Sequence, residues 1–511
     1  MSDLLHRLAD RANPLLVRSV RQDLRSRLFT ATYLLALGGA ALVATAICLL
    51  APQAGGEAGI ALFATATTAW ALGAWCVAGQ SAFAALLRER QDDTWDLVEL
   101  TGMGPARIVR GVWLAGLIQG AVFGAALAPF MVMGFLLRGV DVGLAFVALI
   151  GVPLIAAVAM ALAILVATLP QNRATRNGAT GLVGLALLGS LGGGLGLIFG
   201  GGPELVRELG RDRGAWFIPP FILVGAAWCV VLPLVLAASQ ISHRAADRST
   251  WPRLCWFGVA GTGVLMFAVV WIIVSSSFGF DLRDMCQMLS VIGVLMTLWS
   301  IPLGIGAVAE PWALSIRQEA AITGAPRWRR WLTPITGPGA ARGRMAFLAM
   351  LSLGLGLSVV GWGLGSLEGD ATWFGPPVRT SLLIASYACV FLVLGDVVTR
   401  RMLPAAWRTP AVQRVVTVAG ILILTAVATV PLAILDGMHG DTVGYLSPVL
   451  GLIHTNDPFG RRSTDPWLHP GLWLVLSGGA AAALWLLVEG LRQRITRAEV
   501  LARPDDRNPR A

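Results

Sequence analysis

Long runs of apolar residues, separated by short polar segments, dominate the chain from Phe29 to Leu491. A bilayer core about 30 Å thick is crossed by roughly 20 helical residues that rise 1.5 Å each. Windows of that length recur along the whole stretch and predict about twelve membrane-spanning helices. The predicted spans are 29–51, 58–87, 112–137, 142–169, 178–200, 216–241, 254–280, 286–309, 345–367, 380–399, 411–435 and 470–491.

Composition agrees with this pattern, because 56% of the residues are hydrophobic and only 13% are charged. A water-soluble domain could not cover such a core with polar surface. We therefore expect an all-α, polytopic transmembrane helical bundle with no large soluble domain. In the glycine-rich stretch Gly189–Gly202 we expect helix packing through small residues.

The arginines predict the orientation of the bundle, since cytoplasmic loops retain basic residues. With both termini in the cytoplasm, the predicted inner segments hold 31 arginines and the outer ones eight. The net charge of +10 is then explained by topology and anionic headgroups, and no nucleic-acid partner is expected. All 39 basic residues are arginine, so the chain has no Walker A lysine and no ATP site of that kind.

Few residues suited to chemistry lie deep in the predicted spans. Asp396, Glu310 and Glu489 fall close to the predicted cytoplasmic ends, which argues against a secondary transporter, a pump or an intramembrane protease. Six cysteines without a CxxC pair are expected to be buried thiols. Three histidines in the outer loop 436–469 are too widely spaced for a recognised metal pattern. No catalytic residue, cofactor or metal site is predicted.

Residues 13–28, NPLLVRSVRQDLRSRL, predict an amphipathic helix before the first span. Asn13 is a suitable N-cap, and Pro14 suits the first turn. We expect the helix in the inner headgroup layer, with its arginines toward lipid phosphates; the alternative is a simple membrane anchor. The apolar face comprises Leu16, Val17, Val20, Leu24 and Leu28, and the polar face comprises Arg18, Arg21 and Arg25.

The first large inner loop, Arg88 to Gly111, reads RERQDDTWDLVELTGMGPARIVRG. Acidic and apolar residues alternate in it and predict a short helix, which Gly102, Gly104 and Pro105 end before the next span. A compact helix joined to two spans is suited to carry force from a docked protein into the bundle. The alternative is a solvated acidic loop.

Together these two segments resemble the membrane permease subunits of type-2 ABC (ATP-binding-cassette) exporters. That family has an elbow helix of the form NPxxxRExRxxxRSR, with Ser19 here in place of an acidic residue. Its second segment is a loop resembling ERxxGTxELLLxTPLSPxxIxxGK, from which Asp93 and Val112 depart. The elbow pattern is matched at Asn13, Pro14, Arg18, Arg21, Arg25, Ser26 and Arg27, and the loop pattern at Glu89, Arg90, Thr94, Thr101, Pro105, Ile108 and Gly111, with Trp95 and Asp96 in the turn leading into its helix.

The resemblance covers residues 1–110 closely and the later spans only in hydropathy. It implies a permease in a bacterial cytoplasmic membrane, working as an exporter. A separately encoded ATPase subunit would dock on the 88–111 loop, and hydrolysis there would drive alternating access. The elbow helix would anchor the bundle among membrane lipids.

Twelve spans are twice the six typical of one such permease, and the second half contains a faint echo of the first. ITGAPRWRR, residues 322–330, follows the eighth span as LTGMGPARIVR, residues 100–110, follows the second. We expect two fused permease halves, with chance similarity as the alternative; a second permease subunit is required only if the repeat is not genuine. Thr323, Gly324, Pro326 and Arg327 would correspond to Thr101, Gly102, Pro105 and Arg107, and the expected domains are 1–28 (elbow), 29–241 (first half), 242–253 (linker), 254–491 (second half) and 492–511 (tail).

A different class of function also fits the sequence. A noncatalytic membrane scaffold or assembly factor could keep a permease-like fold without transporting anything. An embedded enzyme is disfavoured, because no acidic, histidine or lysine constellation adjoins a predicted cavity. The substrate is left open, since lipids, peptides and hydrophobic drugs all suit apolar spans.

Overall fold

The computed structural model confirms an all-α, multi-pass membrane fold. Throughout the part of the chain that it describes, regular secondary structure is helical and no strand occurs. Eleven helices in that part are long and apolar enough to cross a membrane. The described residues are 14–54, 57–91, 103–137, 140–168, 173–211, 216, 218–243, 246–278, 282–308, 310, 314, 318, 322, 324, 326–367, 371–402, 413, 416–418 and 470–502.

Each of the eleven helices overlaps one predicted span. The twelfth predicted span, 411–435, lies outside the described residues except for positions 413 and 416–418, and the histidine-containing loop 436–469 lies outside them entirely. The count of twelve and the orientation of the termini therefore stay predictions.

The chain divides into two compact units, residues 1–243 and 244–511. The predicted linker 242–253 contains this boundary, although the next helix already begins at Thr250. The first unit contains α1 (Pro14–Leu24), α2 (Arg27–Ala54), α3 (Glu57–Ala71), the π-helical turn π1 (Leu72–Val77), α4 (Ala78–Gln91), α5 (Pro105–Leu136), α6 (Val142–Ala167), α7 (Arg173–Gly196), π2 (Leu197–Gly201), α8 (Gly202–Arg211) and α9 (Ile218–Ile241).

The described part of the second unit begins with two spans and a short helix before the next span. Its last helix continues past the predicted end of the final span at residue 491, so part of the predicted tail is helical. The helices are α10 (Thr250–Phe278), α11 (Leu282–Val308), α12 (Arg327–Thr336), α13 (Ala340–Leu367), α14 (Ala371–Val397), π3 (Val398–Met402) and α15 (Pro470–Ala502).

Tryptophan side chains tie the helices of the first unit together. The indole nitrogen of Trp70 donates to the Gly120 carbonyl at 3.0 Å, and that of Trp75 donates to the Val152 carbonyl at 2.9 Å. A buried indole N–H needs an acceptor, and away from water the backbone of a neighbouring helix supplies one. These bonds join α3 to α5 and π1 to α6.

The glycine-rich stretch 189–202 is only partly a packing surface. A Cβ added at Gly194 would meet the ring of Trp75, and one at Gly202 would lie 2.9 Å from Val147, so close packing is confirmed at these two positions. The other glycines have open space beside them, which hydropathy alone did not distinguish. They are Gly189, Gly192, Gly193, Gly196, Gly200 and Gly201, with nothing within 4 Å of an added Cβ.

The core of the second unit is a close pair of helices, α11 and α13. A Cβ added at Gly293 would lie 2.5 Å from the Ser358 nitrogen, and one at Gly354 would lie 2.7 Å from the Thr297 nitrogen. Small residues at such spacing let helix backbones approach and gain dispersion contacts, which lipid tails do not replace by a hydrophobic effect. The hydroxyls of Ser358 and Ser381 then hydrogen-bond at 2.7 Å and link α13 to α14.

Candidate functional site

The predicted elbow helix is shorter than its predicted range of 13–28. Helix α1 ends at Leu24, and α2 begins at Arg27 after a turn at Arg25 and Ser26. The Ser26 hydroxyl accepts a hydrogen bond from the Phe29 backbone N–H at 3.1 Å, which is the geometry of an N-cap. Serine before an apolar run was the sequence signal for this break.

Exposure along α1 follows the two faces predicted from the sequence. Arg18, Arg21 and Arg25 are exposed, whereas the apolar residues between Leu16 and Leu24 are half-buried. Helix α1 packs against α5, which explains this asymmetry. Pro14 is the first residue of α1, and Asn13 lies outside the described residues. An open groove of about 440 Å³ is lined by Val17, Arg18, Arg21, Gln22 and Arg25.

One ion pair joins α1 to the end of the second span. Nη1 of Arg18 lies 3.5 Å from Oε1 of Glu89, and Glu89 occupies the last turn of α4. The Arg18 side chain is 63% exposed, so the pair is worth at most about 1 kcal/mol. Its value is positional, since it holds the elbow beside the point where the chain leaves the span. The two residues were predicted separately, and the sequence did not show their contact.

The predicted 88–111 loop is shorter than its range, because both ends belong to helices. Residues 88–91 complete α4, so Glu89 and Arg90 are helical, and Pro105 starts α5 after an extended Gly104. Proline is favoured at a first helical position because its missing N–H has no partner there in any case. Ile108 is buried in the packing of α5. Thr94, Trp95, Asp96 and Thr101 lie outside the described residues.

A buried carboxyl under α1 was missed from the sequence. Asp23 is only 8% exposed, and burial raises its pKa, while the charge of Arg88 and the nearby amide of Gln119 lower it by less. Gln119 is 1% exposed, and neither polar atom of its side chain has a hydrogen-bond partner within 3.5 Å. A polar group on each of α1, α4 and α5 therefore meets below the elbow helix.

In the second unit the segment corresponding to the start of α5 is broken in two. Pro326 is extended and precedes α12, as Gly104 precedes α5. Helix α12 ends at Thr336, however, and a turn at residues 337–339 separates it from α13. Glycine and proline at consecutive positions account for the break.

A buried network of charged and backbone groups holds this turn. Nη2 of Arg253 lies 2.5 Å from Oε1 of Glu310, and the same guanidinium donates to the Gly337 carbonyl. The Gly339 backbone N–H donates to Oε2 of Glu310 at 3.0 Å. Gly339 has φ 106°, a conformation that favours glycine. The start of α10, the end of α11 and the turn before α13 therefore lie together at one end of this unit.

The described residues contain no group of three or more His, Cys, Asp and Glu side chains that could hold a metal ion. In comparisons with known proteins the chain matches no family model, no curated protein and no solved structure. The arrangement of α1, α4 and α5 is therefore interpreted from its own residues.

Proposed function

We propose that the chain is the transmembrane permease subunit of an ABC-type exporter, driven by a separately encoded ATPase that docks on the 88–111 loop. The observation that supports this most directly is the Arg18–Glu89 contact. It brings together the two segments on which the resemblance rests, although they are far apart in the sequence. An elbow helix beside a docking loop is the arrangement that such a permease requires.

The helices on either side of the loop are suited to carry a displacement into the bundle. Helix α5 continues without a break from Pro105 to Leu136 and packs against both α1 and α3. A rigid helix of this length transmits a movement at its first turn along its whole contact surface. Docking and release of an ATPase at the loop would thus move a span and the elbow helix together.

The division of labour follows from the residues that the sequence lacks. Without lysine the chain has no Walker A loop, so ATP hydrolysis belongs to the partner. The proposed location is a bacterial cytoplasmic membrane with the loop on the cytoplasmic side, where the partner and its nucleotide are found.

The proposal includes two fused permease halves, and the packing within each unit supports it. In the first unit the second span packs closely on the third, through α3 and α5; in the second unit the same relationship joins α11 to α13. The fourth span of each unit packs on that unit's last described helix, as α6 on α9 and α14 on α15. A common packing order is what duplication would leave.

The test is co-purification in mild detergent with candidate ATPase subunits. We expect an ATPase to associate with the native chain, and a Glu89→Ala, Trp95→Ala double variant to lose it or its stimulated hydrolysis. The matched control is Glu204→Ala, Trp216→Ala, which removes one exposed carboxylate and one exposed indole from a predicted outer segment. The control variant should bind normally.

The outcomes separate transport from the scaffold alternative. If no nucleotide-binding subunit associates while the bundle stays folded, the chain is better explained as a noncatalytic scaffold or assembly factor. If an ATPase binds equally to both variants, it docks elsewhere and the assignment of the loop is wrong.

A further inference from the structure

Helix α12, residues RWRRWLTPIT, combines basic and apolar faces without any acidic residue. At 100° per residue, positions 328, 331, 332 and 335 are apolar and fall within an arc of about 100°. Positions 327, 329 and 330 are arginines and fall outside that arc. The sequence of α12 is thus amphipathic with a strongly basic side.

The apolar face of α12 is not covered by the protein. Trp331 is 85% exposed and Leu332 is 41% exposed, although α12 contacts both α10 and α13. A tryptophan left almost wholly in water would forgo most of the free energy of burying its ring. Something outside the chain therefore covers this face.

The neighbourhood of α12 indicates what that is. Only residues 337–339 separate it from α13, whose span begins at Ala340. A chain of this length reaches at most about 14 Å. The turn is also held by Arg253 and Glu310, so α12 cannot swing far from the membrane boundary.

We propose that α12 lies in the headgroup layer and binds anionic phospholipid. Trp331 and Leu332 would enter the boundary between headgroups and acyl chains, and the arginines would pair with lipid phosphates and anionic headgroups. Tryptophan is enriched at this depth because its ring is apolar and its N–H is polar. A lipid surface is favoured over a protein partner because it adjoins α12 already and covers the exposed ring with no further component.

The test is hydrogen–deuterium exchange of the full chain in nanodiscs made of phosphatidylcholine alone or with phosphatidylglycerol. Both leaflets have the same composition, so the result does not depend on the orientation of the chain. We expect amides of residues 327–336 to exchange more slowly in the anionic bilayer, by roughly fivefold for each arginine that meets an anionic headgroup. The amides of α1 serve as an internal reference.

A charge variant provides the second measurement. Arg327→Gln, Arg329→Gln, Arg330→Gln should lose the dependence on phosphatidylglycerol, whereas Arg207→Gln, Arg211→Gln, Arg213→Gln, which removes three arginines elsewhere, should retain it. Equal exchange in both bilayers, or slow exchange that appears only after an ATPase subunit is added, would overturn the proposal. The comparison of bilayers with the native chain decides the matter even if a variant does not fold.

Discussion

The guanidinium of Arg344 on α13 donates to the carboxylate of Asp396 on α14, with 2.8 Å between Nη2 and Oδ2. Both side chains are almost fully buried, at 3% and 2% exposure. The ring of Trp485 on α15 lies over the same guanidinium, 5.4 Å from Cζ to the ring centroid. Three helices of the second unit are therefore joined through one buried charge.

Asp396→Ala should destabilise the protein by about 3–5 kcal/mol, because it leaves the buried Arg344 without its counter-ion. Thermal or denaturant unfolding in detergent measures the loss. Arg18→Ala is the control, since the exposed Arg18–Glu89 pair contributes at most about 1 kcal/mol. The apolar double variant Arg344→Met, Asp396→Leu should recover most of the stability. Equal losses from Asp396→Ala and Arg18→Ala would contradict this account of the pair.

Hydropathy predicted the helical bundle well, because crossing a bilayer requires a run of apolar residues that is visible in any window. It could not predict which groups meet. The sequence placed Asp396 and Glu310 near span ends, but only the packing of α10, α11, α13 and α14 shows that each faces a buried arginine.

The candidate site was predicted to a similar degree. Helical periodicity separated Arg18 and Arg21 from the apolar face of α1, since that pattern is local. The contact of Arg18 with Glu89, and the burial of Asp23 beside Gln119, depend on how α1 packs against distant helices. No local pattern contains that information.

Gly293→Leu should destabilise the second unit by about 1–3 kcal/mol or more, because the new side chain would enter the backbone of α13 at Ser358. The control is Gly356→Leu, at a glycine with nothing within 4 Å of an added Cβ. It should be tolerated or slightly stabilising, since leucine favours helix more than glycine does. Unfolding midpoints of the two variants give the comparison. A Gly293 variant as stable as the Gly356 variant would show that α11 and α13 are not in close contact.

Gly339→Ala should cost about 1–2 kcal/mol, because an L-residue at φ 106° brings its Cβ against the backbone. Gly363→Ala, in the open interior of α13, changes the same atoms without that strain and should have the opposite sign. The measurement is the difference in unfolding free energy between the two variants. If the lipid-binding role of α12 holds, Gly339→Ala should also speed amide exchange in residues 327–336, which the Gly363 variant should not do.

Asp23 should make stability depend on pH in the acid range. Burial raises the pKa of this carboxyl above its ordinary value of 3.8, so over the interval between the two values the folded protein binds more protons than the unfolded chain. The contribution to stability is therefore complete below pH 3.8 and is lost as the pH rises through the folded-state pKa.

Asp23→Asn removes this titration, so the stability of the variant relative to the native protein should rise from pH 4 toward pH 7. Unfolding in detergent across this range measures the difference, with Asp141→Asn, at an exposed position before α6, controlling for the loss of one carboxylate. A constant difference between native and Asp23→Asn protein would mean that the carboxyl is solvated and that α1 does not pack over it. A difference that rises with pH would place a titrating group between the elbow helix and α5, where neutralising it strengthens their contact.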